Sequence, residues 1–132
     1  MVFELTTQYA ALGLATFRVI VGAVFVKHAM PKLEDPHSTR EFFRSVDLPD
    51  SVYLVYLALG IEIVAGTLLA IGLYTQYAAL VLTVFMFVAT YVAIVKMDKD
   101  FKGGYEVDIL LLGACFMYYL NGAGQYAVEA LI

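Results

Sequence analysis

Two charged side chains interrupt apolar stretches long enough to cross a membrane. Arg18 stands inside the first stretch, and Glu62 stands in the middle of the second, which runs from Tyr53 to Thr75. A charge at the centre of a bilayer costs at least ~2.5–3.5 kcal/mol on insertion scales, so each needs a partner. Arg18 lies about ten residues from the outer end of its stretch and Glu62 about twelve, which at ~1.5 Å per residue places them within about 3 Å in depth. The spacing predicts an Arg18–Glu62 ion pair near the midplane. Such a pair serves as a proton relay, as a polar contact for a ligand, or as a structural staple between helices. Gly22 is one turn from Arg18 and Gly66 one turn from Glu62. Small residues there let helices approach or leave space beside the pair.

A second charged layer closes the opposite end. Lys27, His28 and Lys32 end the first stretch, while Glu106 and Asp108 open the last apolar run. A contact such as Lys27–Glu106 is one expectation; a solvated rim of snorkelling side chains is the other. Tyr91 sits within an apolar run and needs a hydroxyl partner or a wet cavity. Lys27, Tyr91, Glu106, Gly22 and Gly66 are therefore the candidate ligand contacts around the Arg18–Glu62 centre.

Several chemistries are excluded. Haem held by two histidines is not expected, because His28 and His37 are the only histidines and His37 falls in a loop. The Glu-x-x-His pattern of di-iron bundles is absent, as are GxGxxG and the P-loop pattern, so no metal site and no intrinsic cofactor is expected. The single cysteine, Cys115, reads as a small buried hydrophobe. Nucleic acid is not an expected partner of an acidic, apolar chain with net charge −4.

The elements that would position these groups are helices. The chain is 62% hydrophobic and 15% charged, against roughly 45–50% and about 25% in soluble domains. The apolar runs are too long for strands and do not alternate. The pattern predicts an all-α membrane four-helix bundle, a single domain over 1–132, with spans near 8–29, 52–74, 77–95 and 107–121. Thr75 and Gln76 alone separate the second and third spans, which forces an antiparallel hairpin. In the first loop, Asp35-Pro36 starts a short interfacial helix, and Ser38 and Glu41 have capping-box spacing. Phe42, Phe43 and Val46 form its apolar side, as an anchor and lid for the bundle end or as a gate over an inner pocket.

Lysines and arginines outside the spans cluster in the first and third loops, so the positive-inside rule puts those loops in the cytoplasm and both termini outside. The hexapeptide Thr7–Leu12 recurs letter for letter at Thr75–Leu80. Duplication of a helical hairpin would give this echo, as would a shared interfacial anchor or chance.

Arg18-x-x-x-Gly22 followed by Lys27 and Lys32 resembles the first segment of the DoxX family. Glu62-x-x-x-Gly66-x-Leu68-Leu69-x-x-Gly72-Leu73-x-Thr75 with Ala78-Ala79-Leu80 resembles its second, and Gly104-x-Glu106 the start of its last helix. The resemblance implies a small four-helix cell-membrane protein, multi-pass in the bilayer. It also implies a redox system that meets quinone, with a partner redox subunit, in a homo-oligomer or hetero-complex. A transporter or binder of a small amphipathic molecule or proton is the competing reading, and a non-catalytic anchor for a peripheral enzyme is the third.

Overall fold

A computed structural model describes residues 1–132, apart from the side chain of Phe3. The described residues form helices and turns, with no strand among them. Helix α1 runs over Val2–Glu34, beyond the expected 8–29 at both ends. Its 33 residues measure about 50 Å, more than a hydrocarbon core of about 30 Å. Pro31 sits in its last turn, where it removes the N–H that would donate to the Lys27 carbonyl, yet the helix continues to Glu34.

Helix α2, Pro36–Ser45, starts with proline at its first turn, and the Asp35 carboxylate accepts from the Ser38 N–H at 3.0 Å. Asp35 is thus the cap, in place of the Ser38–Glu41 box. Phe43 and Val46 are buried, whereas Phe42 is exposed.

The second long segment is one rod in three parts. Helix α3, Val52–Gly60, passes into a π-turn at Ile61–Ala65 and then into helix α4, Gly66–Ile71. The rod stops at Gly72, whose φ of +74° suits glycine alone at low cost. The Leu73 N–H donates to the Leu68 carbonyl at 3.0 Å and the Gly72 N–H to Leu69 at 3.2 Å, a Schellman closure. Helix α5, Thr75–Tyr91, begins two residues after Leu73 and is prolonged by a second π-turn at Val92–Lys96. Helix α6 covers Glu106–Asn121. The chain then folds back over the α4–α5 turn and ends in a 3-10 turn at Val128–Leu131.

Helix α5 packs most extensively on α6, and α1 on α4; the Ile61–Ala65 π-turn touches both α1 and α5. Phe25, Leu69, Leu82, Cys115 and Tyr118 fill the centre. The outside is also apolar, with Val64, Val84, Phe87 and Leu110 exposed, as expected where the solvent is lipid. Three segments are long and apolar enough to cross a membrane: Glu4–Glu34, Val52–Ile71 and Thr75–Lys96. Helix α6 has 16 residues.

Gly22 and Gly66 bring α1 and α4 into backbone contact. A β-carbon on Gly22 would lie 2.5 Å from the Gly66 carbonyl oxygen and 2.6 Å from the Ala70 β-carbon. The two copies of the repeated hexapeptide have different surroundings: Thr75, Ala78 and Ala79 are buried, while Gln8, Tyr9 and Ala10 are exposed on the overhang of α1.

Candidate functional site

Arg18 and Glu62 are both buried, at 3% exposure each, but they do not pair. The Arg18 Nε–H donates to the Ala70 carbonyl at 3.3 Å; its terminal nitrogens donate to the carbonyls of Ala123 and, at 2.8 Å, Tyr126. Ala70 belongs to the last turn of α4, and its carbonyl, left over by the Schellman closure at Leu68 and Leu69, lies at the negative end of the helix dipole. The guanidinium therefore caps α4 and pins the C-terminal segment across the α4–α5 turn. Ala70 lies eight residues beyond Glu62 on the same rod, about 12 Å along its axis. The expected ion pair assumed that the first span begins near Gln8, whereas α1 overhangs the bundle from Val2. That overhang brings Arg18 to the level of the turn.

Glu62 is compensated from the other end of α1. Lys32 Nζ stands 2.8 Å from Glu62 Oε2, and it also donates to the His28 carbonyl at 3.1 Å. Lys32 reaches Glu62 because α1 remains helical past Ala29, which sets Lys32 one turn after His28 on the same face. Glu62 itself lies in the Ile61–Ala65 π-turn; such bulges shift side-chain direction and recur at functional sites.

The pair borders a cavity of about 240 Å³. His28, Lys32, Glu62 and Asp108 supply its polar wall, with Lys99 from the third loop. Phe42, Phe43 and Leu48 of the first loop roof it, and Phe85, Met86 and Val88 of α5 complete the apolar wall. The second π-turn contributes Val92 and Ala93, so both π-turns border the same space. Chemically the site offers a desolvated ammonium–carboxylate pair with an imidazole beside it. An ammonium has three N–H donors; one goes to the His28 carbonyl, and the charge lies against Glu62 as an ion pair.

The other anticipated contacts lie elsewhere. Lys27 is exposed and lines a shallow groove with Gly22, Ala23 and Thr67 on the outside of α1 and α4. Glu106 accepts from the Gly103 N–H at 2.9 Å, which holds the turn ahead of α6, and it makes no ion pair with Lys27. Tyr91 is 52% exposed and outside the cavity. Gly66 faces Phe25 and Gly22, not the cavity. The sequence placed His28, Lys32 and Asp108 in a charged layer but did not connect that layer to Glu62. The available signal was the four-residue spacing of His28 and Lys32 in a helix that Pro31 does not end.

The Bacillus subtilis (strain 168) protein named "Putative oxidoreductase CatD" is 29% identical over 121 residues, covering 92% of this chain and 87% of that protein. No solved structure matches the chain. The DoxX family profile matches residues 13–95, a range that holds Arg18, Lys32, Glu62, the Ile61–Ala65 π-turn and all but the last residue of the second. The chain belongs to the DoxX family.

Proposed function

We propose that this protein is the membrane subunit of a quinone-linked redox system, with the quinone head held in the Lys32–Glu62 cavity. In this reading α6 crosses the bilayer as a fourth span, the first and third loops face the cytoplasm, and a partner subunit delivers the electrons. The observation that carries it is an ion pair with a buried carboxylate at a helix bulge, bordering a phenylalanine-lined cavity of about 240 Å³. The printed name of the Bacillus relative points the same way. Ionisable groups inside a membrane protein mark ligand or proton pathways by default.

The residues fit such a head group. Lys32 Nζ has N–H donors beyond the one given to the His28 carbonyl and directs one at a ring carbonyl. Glu62 Oε2 holds or releases a proton, and His28 stands on the route to water at the cavity mouth. Phe42, Phe43 and Phe85 orient the ring and exclude water. A bound quinone supplies two-electron, two-proton redox chemistry. A proton-coupled binder of a small amphipathic molecule is the second reading, favoured by a cavity that reaches Glu62.

Purification in mild detergent followed by lipid extraction tests the proposal. Quinone is expected to travel with the wild-type protein and to fall at least ~tenfold in Glu62→Gln and Lys32→Met, since a hydrogen bond to a charged group contributes about 1.5–3 kcal/mol. An extract without quinone, together with no quinol-dependent change in tyrosine fluorescence, would overturn it.

A further inference from the structure

Beside the polar cavity lies a second, larger concavity of about 530 Å³ between α3 and α5. Leu54, Leu57, Ala58 and Ile61 form one bank and Leu80, Val81, Val84 and Val88 the other. Leu57, Val81, Val84 and Val88 are exposed on segments apolar enough to cross a membrane, so the groove opens sideways, toward acyl chains. It shares a wall with the polar cavity: Phe43, Leu48, Phe85 and Val88 line both. Phe43 comes from α2 and Phe85 from α5, and together they form the partition between a lipid-facing groove and a buried ion pair.

We propose that this groove is the lateral entrance and resting place for the hydrocarbon chain of a single-chain amphiphile whose head lies at Lys32 and Glu62. The proposal rests on the reading that the polar cavity takes a ligand head. It adds that the ligand arrives from within the bilayer and that Phe43 and Phe85 must part to admit it. Groove and lipid tails are equally apolar, so the groove supplies a path and a register rather than affinity. The shared wall fixes the occupant: a chain attached to a head at Glu62 passes between Phe43 and Phe85 into the adjoining apolar groove. Helix α2, which carries Phe43 and leads to Leu48, is then a hinged wall of the entrance as well as a roof.

Two probes separate the route from the site: decylubiquinone, which carries a ten-carbon chain, and the same quinone without the chain. Binding is read by tyrosine fluorescence of the purified full chain in detergent. Ala58→Phe grows a ring from the floor of the groove, and Val84→Trp fills it from the rim should the first variant fold poorly. Neither residue lines the polar cavity. The expected result is at least ~tenfold weaker or slower binding of the chained probe in each folded variant, with the chainless probe within ~twofold of wild type. Equal loss for both probes, or no loss for either, overturns the lateral route while leaving the head-group site. Failure of wild type to bind either probe overturns both proposals.

Discussion

Lys32 and Glu62 are held where neither ion is well hydrated, so each depends on the other. Glu62 has 4% side-chain exposure and Lys32 19%. Removing one partner of a buried pair leaves an uncompensated charge, at a cost of about 3 kcal/mol or more, while removing both is often close to neutral. Thermal unfolding in detergent should therefore show Glu62→Gln and Lys32→Met each strongly destabilised and the double variant nearer to wild type than either. Additive losses would mean that the two side chains do not interact. The sequence already singled out Glu62, since one carboxylate in twenty apolar residues is visible to any reading of cost. Its partner was not visible, because the choice between Arg18 and Lys32 depends on how far α1 extends at each end. Helix ends are set by caps and packing, and α1 runs through Pro31 to Glu34.

The π-turns show the same limit for whole elements. Long apolar runs made the helices legible, and the polar Thr75-Gln76 pair signalled a hairpin there, although the turn itself spans residues 72–74 and both polar residues open α5. Nothing in the spelling of Ile61–Ala65 or Val92–Lys96 announces an extra residue in the turn. Glycine spacing was more informative, because Gly22 and Gly66 fall one helical turn from the two buried charges. At Gly22 a β-carbon meets backbone and the Ala70 side chain, so Gly22→Ala should force α1 and α4 apart and cost about 1–3 kcal/mol, the usual range for overpacking. Gly13 and Gly113 have open space where a β-carbon would go. Alanine there should leave stability unchanged or raise it by about 0.5–1 kcal/mol. Parallel melting curves for the three variants check the contrast, and equal behaviour of all three would refute the close approach.

The whole molecule has two unlike ends. At one, α2 and the third loop surround a cavity that reaches Glu62. At the other, the C-terminal segment is tied down: Arg18 holds Ala123 and Tyr126, the Glu129 carboxylate accepts from the Thr75 N–H at 3.1 Å, and the Glu129 N–H donates to Gly72 at 2.9 Å. Tyr118 adds a hydrogen bond to the Leu14 carbonyl at 2.6 Å. Such an arrangement closes one face and leaves access to the other, which suits a site served from one side and from the bilayer. It also makes the two charges independent. Sites more than about 7–10 Å apart with no shared partner contribute additively within about 0.5 kcal/mol, and the Arg18 contacts lie about 12 Å along the rod from Glu62. Arg18→Met should free the tail, seen as faster hydrogen exchange over residues 122–132, and should lose about 1.5–3 kcal/mol for each carbonyl bond that water does not replace. Combined with Glu62→Gln, its effect on unfolding should simply add, and exchange around Glu62 should not change. A coupling above about 1 kcal/mol between Arg18 and Glu62 would mean that the two ends communicate, and the division between a sealed end and a working end would have to be abandoned.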